Sequence, residues 1–97
     1  MKTIWIIYGE TGEYDDWKEW PVCAYFDEEK AKTHAKLAAE FASEARHQGC
    51  MQTPRLYSYE ITERWPNPYD VHMEIESNMD THYYATPLEI RDELPKV

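Results

Sequence analysis

Hydrophobic and polar positions along the chain mark out a short series of elements. Thr3-Ile4-Trp5-Ile6-Ile7-Tyr8 is β-branched or aromatic and apolar at both alternating positions, the pattern of a central strand covered on both faces. Pro21 to Phe26 reads as a second strand, with Val22, Ala24 and Phe26 on one face and Cys23 and Tyr25 on the other. The stretch between them, Gly9 to Trp20, contains two glycines and is too long for a tight hairpin turn, so it is expected to be a loop.

From about Glu28 to Gln48 the period changes to that of a helix. At 100° per residue, Ala31, Ala35, Ala38, Ala42 and Ala45 fall within an arc of about 80°, with His34, Leu37 and Phe41 beside it. Lys32, Lys36, Glu40 and His47 lie on the opposite, solvated side. Asp27 is a good N-cap, Phe26 and Ala31 occupy the two positions of a hydrophobic staple, and Gly49 falls where a left-handed C-terminal cap is expected. An alanine stripe lets the helix axis come close to whatever lies beneath it, so the aromatic residues of a sheet are expected to fill the remaining space.

Beyond the helix, Leu56 to Thr62 alternates as a third strand with Tyr57, Tyr59 and Ile61 together. Trp65-Pro66-Asn67-Pro68-Tyr69 is expected as a rigid connection, because neither proline can donate to a ladder. Val71, Met73 and Ile75 alternate with His72, Glu74 and Glu76 as a fourth strand. A turn at Ser77 to Asp80 leads to a last strand, His82 to Ile90, in which Pro87 argues for an edge or a bulge. This order, β-β-α-β-β-β, predicts an α+β domain: a mostly antiparallel sheet of four to five strands with one long helix packed on one face. No linker or repeat divides it, so residues 1–97 form one domain.

Composition narrows the picture. With 42% hydrophobic and 14% aromatic residues, the chain has the means to build a core and does not read as disordered. Cys23 and Cys50 are too few and too far apart for a disulfide framework, and the apolar run after Lys2 is too short for an export signal or a membrane span. A cytoplasmic location away from membranes is therefore expected.

Little in the chain suggests chemistry. Gly9 and Gly12 are followed by acids that would repel a phosphate, and none of Ser43, Ser58 or Ser77 has the glycine flanks of a nucleophile elbow. His47 and Cys50 are three apart, and Cys23 could approach them, but a structural zinc site needs four ligands with paired spacing. The adjacent Asp15 and Asp16 lack the alternating oxygen ligands of a calcium loop. His34 borders the buried stripe and reads as a packing histidine. No catalytic residue, metal or cofactor is assigned.

Charge points elsewhere. Nineteen acids against ten bases give a net charge of −9, which disfavours direct contact with nucleic acid and favours protein partners with basic surfaces. Eight acids and only Lys18 lie between Glu10 and Glu29. Asp27, Glu28 and Glu29 are accounted for by the positive end of the helix dipole. Glu10, Glu13, Asp15, Asp16 and Glu19 are not, and they are interleaved with Tyr14, Trp17 and Trp20. Aromatic anchors among exposed charges have the composition of a protein-contact surface, and these eight residues are the candidate interface.

Several motifs carry a resemblance: Tyr8-Gly9, then Thr11-Gly12-Glu13-Tyr14-Asp15-Asp16, Trp20, Val22-Cys23-Ala24, the helix with Lys30-Ala31 and His34-Ala35, Asn67-Pro68-Tyr69-Asp70, and Tyr83-Tyr84. In these the chain resembles a group of small uncharacterised proteins encoded by bacteriophages and prophages. The resemblance implies no catalytic residue. It implies no activity either; because phage accessory proteins of this size often bind a host or defence protein, and an acidic surface suits a basic nucleic-acid groove, the expected role is binding and modulation of a host nucleic-acid-handling or defence complex, as by an anti-CRISPR-like or DNA-mimicking inhibitor. Two alternatives stand beside it. One is a self-associating or virion-related protein, forming a homodimer through the edge strand near Pro87 and the Trp65 to Tyr69 segment. The other is a small enzyme or ligand-binding domain with a pocket between the alanine stripe and the tyrosines of the sheet.

Overall fold

The computed structural model describes residues 2–12, 14–52, 62–77 and 79–96. In chain order the elements are β1 (Lys2–Thr11), β2 (Lys18–Tyr25), α1 (Glu28–Gln52), β3 (Arg64–Asn67), β4 (Asp70–Glu76) and β5 (Thr81–Ile90). The α+β class and the β-β-α-β-β-β order hold. The five strands fall in two antiparallel sheets, one of order β2-β1-β5 and one formed by β3 and β4. The third strand expected at Leu56 to Thr62 falls on residues outside the described ones, apart from Thr62, which is not in a strand.

β1 is central, as its β-branched and aromatic composition requires, and it pairs along its whole length with β5. Trp5, Ile7 and Gly9 point to the helix side. There Ile7 is fully buried and forms the core with Val22, Ala31 and Ala35, and Trp5, Trp20, Tyr25, Tyr83 and Ala85 pack around it. A register shift opposite Ile7 and Tyr8 turns both Val22 and Cys23 toward this core, so the expected separation of these two residues onto opposite faces does not occur.

Half of the expected loop from Gly9 to Trp20 is strand. Glu10 pairs with Glu19 and Thr11 with Lys18, leaving Gly12 to Trp17 as the connection, which includes a single 3-10 turn at Tyr14–Asp16. Gly12 makes this turn possible. Its φ is 90°, and a Cβ there would lie 2.2 Å from the Asp16 carbonyl oxygen. Gly9 serves a different need: a Cβ would come within 2.6 Å of the Trp20 ring, which lies across it from the neighbouring strand.

α1 begins where Asp27 predicts. The Asp27 Oδ1 accepts the Lys30 amide at 3.0 Å, and its carbonyl accepts the Ala31 amide at 3.1 Å. Phe26 is 71% exposed, so the expected staple does not form. Ala31, Ala35, Ala38 and Ala42 are buried against the sheet, and Leu37 and Phe41 sit exposed at the edge of the stripe. The helix continues through Gly49 to Gln52 instead of ending there. Gly49 is required by packing, since a Cβ would stand 2.3 Å from the Trp65 ring.

Trp65 to Asn67 does pair with a neighbour, contrary to expectation. The ladder accommodates Pro66 by shifting register between Trp65 and Asn67, which leaves the proline exposed. In β4, Ile75 is buried but Val71 is 85% exposed, so the predicted apolar face covers only the end of the strand near Ile75. Pro87 lies on the edge strand β5, opposite Trp5, without a bulge.

Candidate functional site

The eight residues expected to form one interface separate into three groups. Glu13 and the side chain of Tyr14 lie outside the described residues. Trp20 is turned inward: its indole packs edge-on to Tyr83, with centroids 6.5 Å apart, and its Nε1 donates to Asp70 Oδ2 at 2.8 Å. Trp20 is therefore a core residue, because a hydrogen-bonded acceptor for the indole N–H waits beneath the sheet. The rest, Glu10, Asp15, Asp16, Trp17 and Glu19, stay at the hairpin end.

Asp15, Asp16 and Trp17 cluster at the hairpin turn, and Trp17 is 52% exposed. With Lys18, Thr62, Arg64, Glu76 and Met79 they line an open groove of about 350 Å³ between the turn and the β3–β4 sheet. Arg64 pairs with Glu76, its register neighbour on the β3–β4 wall of that groove, at 3.6 Å, while neither Asp15 nor Asp16 has an ion-pair partner among the described residues. Glu10 and Glu19 form a directly opposed like-charge pair behind the turn. Glu19 accepts the Tyr84 hydroxyl proton, and that bond, more than burial, pushes the Tyr84 hydroxyl up to about 12.

No family model, curated protein or solved structure matches this chain.

Beneath the sheet, Asn67-Pro68-Tyr69-Asp70 is the joint that docks the β3–β4 sheet. Asp70 is 3% exposed, and its carboxylate accepts four donors: the Trp20 indole, the Tyr83 hydroxyl at 2.7 Å, and the amides of His72 and Met73 at 3.0 and 3.3 Å. Asn67 donates to the Ala38 carbonyl at 3.3 Å and accepts the Tyr69 amide at 2.9 Å. Burial, reinforced by the bond to Asp70, holds the Tyr83 hydroxyl well above the ordinary tyrosine range. The sequence signal for this joint was present: two residues whose side chains bond their own backbone, placed around a proline. What it could not reveal were the partners, Trp20 and Tyr83, fifty and thirteen positions away.

His34 is likewise held in place. The Tyr69 carbonyl, 2.7 Å from Nε2, can only accept, so Nε2 carries a proton, and Nδ1 takes the Tyr25 hydroxyl at 2.8 Å. Both nitrogens of the ring are engaged in packing, as the sequence suggested. Beside it a shallow groove of about 390 Å³ opens between Tyr25, Glu29, Lys30, Thr33, Leu37 and Tyr69. Burial raises the Cys23 thiol, and its sulfur lies 3.8 Å from His34 Nε2. Cys50 is sixteen helical positions from His34, about 24 Å along the axis, so the two cysteines cannot share a metal. Among the described residues no group of three or more His, Cys, Asp or Glu is arranged to hold one, and no helix is long and apolar enough to cross a membrane.

Proposed function

We propose that this chain is a protein-binding module that docks through the β1–β2 hairpin turn, and that its partner presents a basic surface. The observation that carries the reading is the half-exposed Trp17 indole standing beside two carboxylates that have no ion-pair partners among the described residues, at the mouth of a groove. An indole is a large, rigid anchor with a single donor, and desolvating it against a partner supplies affinity. Carboxylates at the rim add steering and selectivity for cations more than raw affinity. Lys and Arg surfaces evolved for polyanions belong to proteins that handle nucleic acid. With the net charge of −9 and the resemblance to small uncharacterised phage-encoded proteins, this favours modulation of such a host or defence protein.

The test is capture of the partner by the tagged full chain from nuclease-treated host lysate. The expected result is a retained nucleic-acid-handling protein that elutes as salt rises from about 50 to about 300 mM. A Trp17→Ala, Asp15→Lys, Asp16→Lys variant with an unchanged thermal melt should lose it. Equal retention by that variant would remove the hairpin turn as the site.

A further inference from the structure

The sequence of β1 is apolar on both faces, yet the described elements cover only one of them. On the helix side Ile7, Gly9 and Thr11 are buried and Trp5 half-buried, whereas Lys2, Ile4, Ile6, Tyr8 and Glu10 point the other way, where no described element lies over them and Ile4, Ile6 and Tyr8 keep partial exposure. Their register neighbours extend this face. β5 contributes Ile90, Leu88, Thr86 and Tyr84, while β2 contributes Ala24 and Pro21. Leu88 is 54% exposed, and Tyr84 stacks on Tyr8 with centroids 5.7 Å apart. The result is a contiguous apolar strip on a pleated surface, a feature that a soluble monomer seldom leaves open.

The charges at its two ends identify the occupant. Along β1 the open face reads cation, apolar, apolar, aromatic, anion: Lys2, Ile4, Ile6, Tyr8, Glu10. Glu10 lies directly opposite Glu19, an arrangement that costs stability unless a cation answers it, and neither has an ion pair among the described residues. Lys2 has none either. The basic ring of His82 lies beside Glu10 in the register at this end, while at the other end Glu89 is turned to the helix side and paired with Arg91. We infer that a second copy of this chain covers the face, with the two β1 strands antiparallel about a twofold axis near Ile6. Lys2 then meets the partner's Glu10 at both ends, and the isoleucines meet in the middle. Such an isologous contact needs one self-complementary patch, and this strip is one.

The net charge of −9 does not forbid the dimer. Lys2, Glu10 and Glu19 leave the face close to neutral, and at physiological salt the remaining acids are screened beyond about 8 Å. Eight residues of strand and three strands of width make a patch of about 400 Å² per copy. That is smaller than a standard stable interface, so the dimer should dissociate in the micromolar range or above. Asp15, Asp16 and Trp17 stay outside the contact, one hairpin turn at each end of the dimer, so this inference and the docking reading fail independently.

Sedimentation equilibrium of the full chain, from about 1 μM to about 1 mM, tests it. The expected result is a reversible monomer–dimer equilibrium whose dissociation constant rises at least tenfold for Ile6→Lys and for Leu88→Glu. Leu88 is exposed enough for its variant to fold even if the Ile6 variant does not. Lys2→Glu and Glu10→Lys should each weaken the dimer, and the two combined should restore it. A monomer at 1 mM, a Leu88→Glu variant that dimerises like the wild type, or a charge swap that fails to restore association would each overturn the inference. A monomer whose Leu88→Glu variant loses a captured partner would assign the face to another protein, and would overturn it too.

Discussion

Replacing Asp70 by Asn changes one atom and should be among the most damaging substitutions in the chain. Four donors converge on the Asp70 carboxylate inside the protein, and an acceptor-only group satisfies all of them. An amide can accept with one end only. If its oxygen keeps the His72 and Met73 amides, its NH2 faces Trp20 Nε1 and the Tyr83 hydroxyl. The hydroxyl can rotate and accept, but the indole cannot, so one buried N–H is orphaned at a cost of about 1–3 kcal/mol. The bonds that remain lose their charge assistance, roughly halving each. Together the loss is about 3 kcal/mol, set against about 5–15 kcal/mol for a whole domain of this size. At about 4–8 °C per kcal/mol, the midpoint of thermal unfolding should fall by roughly 12–24 °C. Tyr83→Phe removes one charge-assisted bond to Asp70 and the long 3.4 Å bond from Asn67 Nδ2 without orphaning the indole, and should cost less, about 2 kcal/mol. Glu74→Gln, an exposed acid of the same strand, should leave the melt unchanged. Calorimetry on the three variants decides the matter. An Asp70→Asn variant melting within about 3 °C of the wild type would show that the joint is not what holds β3–β4 to the rest of the protein.

Gly12→Ala should be severe, because the left-handed backbone and the 2.2 Å approach of the Asp16 carbonyl both oppose a side chain. A loss of at least about 2 kcal/mol in urea unfolding is expected, and an unchanged midpoint would contradict the turn geometry. At Gly49 two effects compete. Alanine gains about 1 kcal/mol of helix propensity, but its methyl meets the Trp65 ring at 2.3 Å, and overpacking of this kind costs about 1–3 kcal/mol. Net destabilisation is expected, and a higher melting temperature for Gly49→Ala would refute the contact. Tyr83 and Tyr84 both hold their protons more tightly when folded than a free tyrosine near 10 does. Their contribution is therefore complete below pH 10 and is lost as pH rises toward about 12, where Tyr84 ionises. Absorbance titration of Tyr84→Phe should lack the step near 12, and stability that stays flat from pH 10 to 12 would contradict the assignment.

The parts of the fold legible in the sequence were those with local, periodic signals. The β-branched run of β1, the Asp27 cap and the alanine stripe of α1 each declare their structure within a few residues. The hairpin was missed because Glu10, Glu13, Asp15, Asp16 and Glu19 are poor strand formers, and the pairing of Glu10 with Glu19 sets like charges face to face. Trp20 looked like a surface anchor because its hydrogen-bond partner is fifty residues away. Pro66 looked like the end of a ladder because a register shift around a proline leaves no mark in the pattern. The two-sided apolar character of β1 predicts a strand covered on both faces. The chain itself, among its described residues, meets that expectation on one side only. Of the eight interface candidates, the structure keeps Asp15, Asp16 and Trp17 together at the turn, sets Glu10 and Glu19 on the open face and gives Trp20 to the core.

The docking role stands or falls on a titration of the captured partner, purified, against the wild-type chain and the Trp17→Ala, Asp15→Lys, Asp16→Lys variant at low and high salt. A loss of affinity of at least tenfold, worth about 1.4 kcal/mol, with a weaker salt dependence in the variant, is the predicted result. Matching affinities and matching salt slopes for the two chains would contradict it.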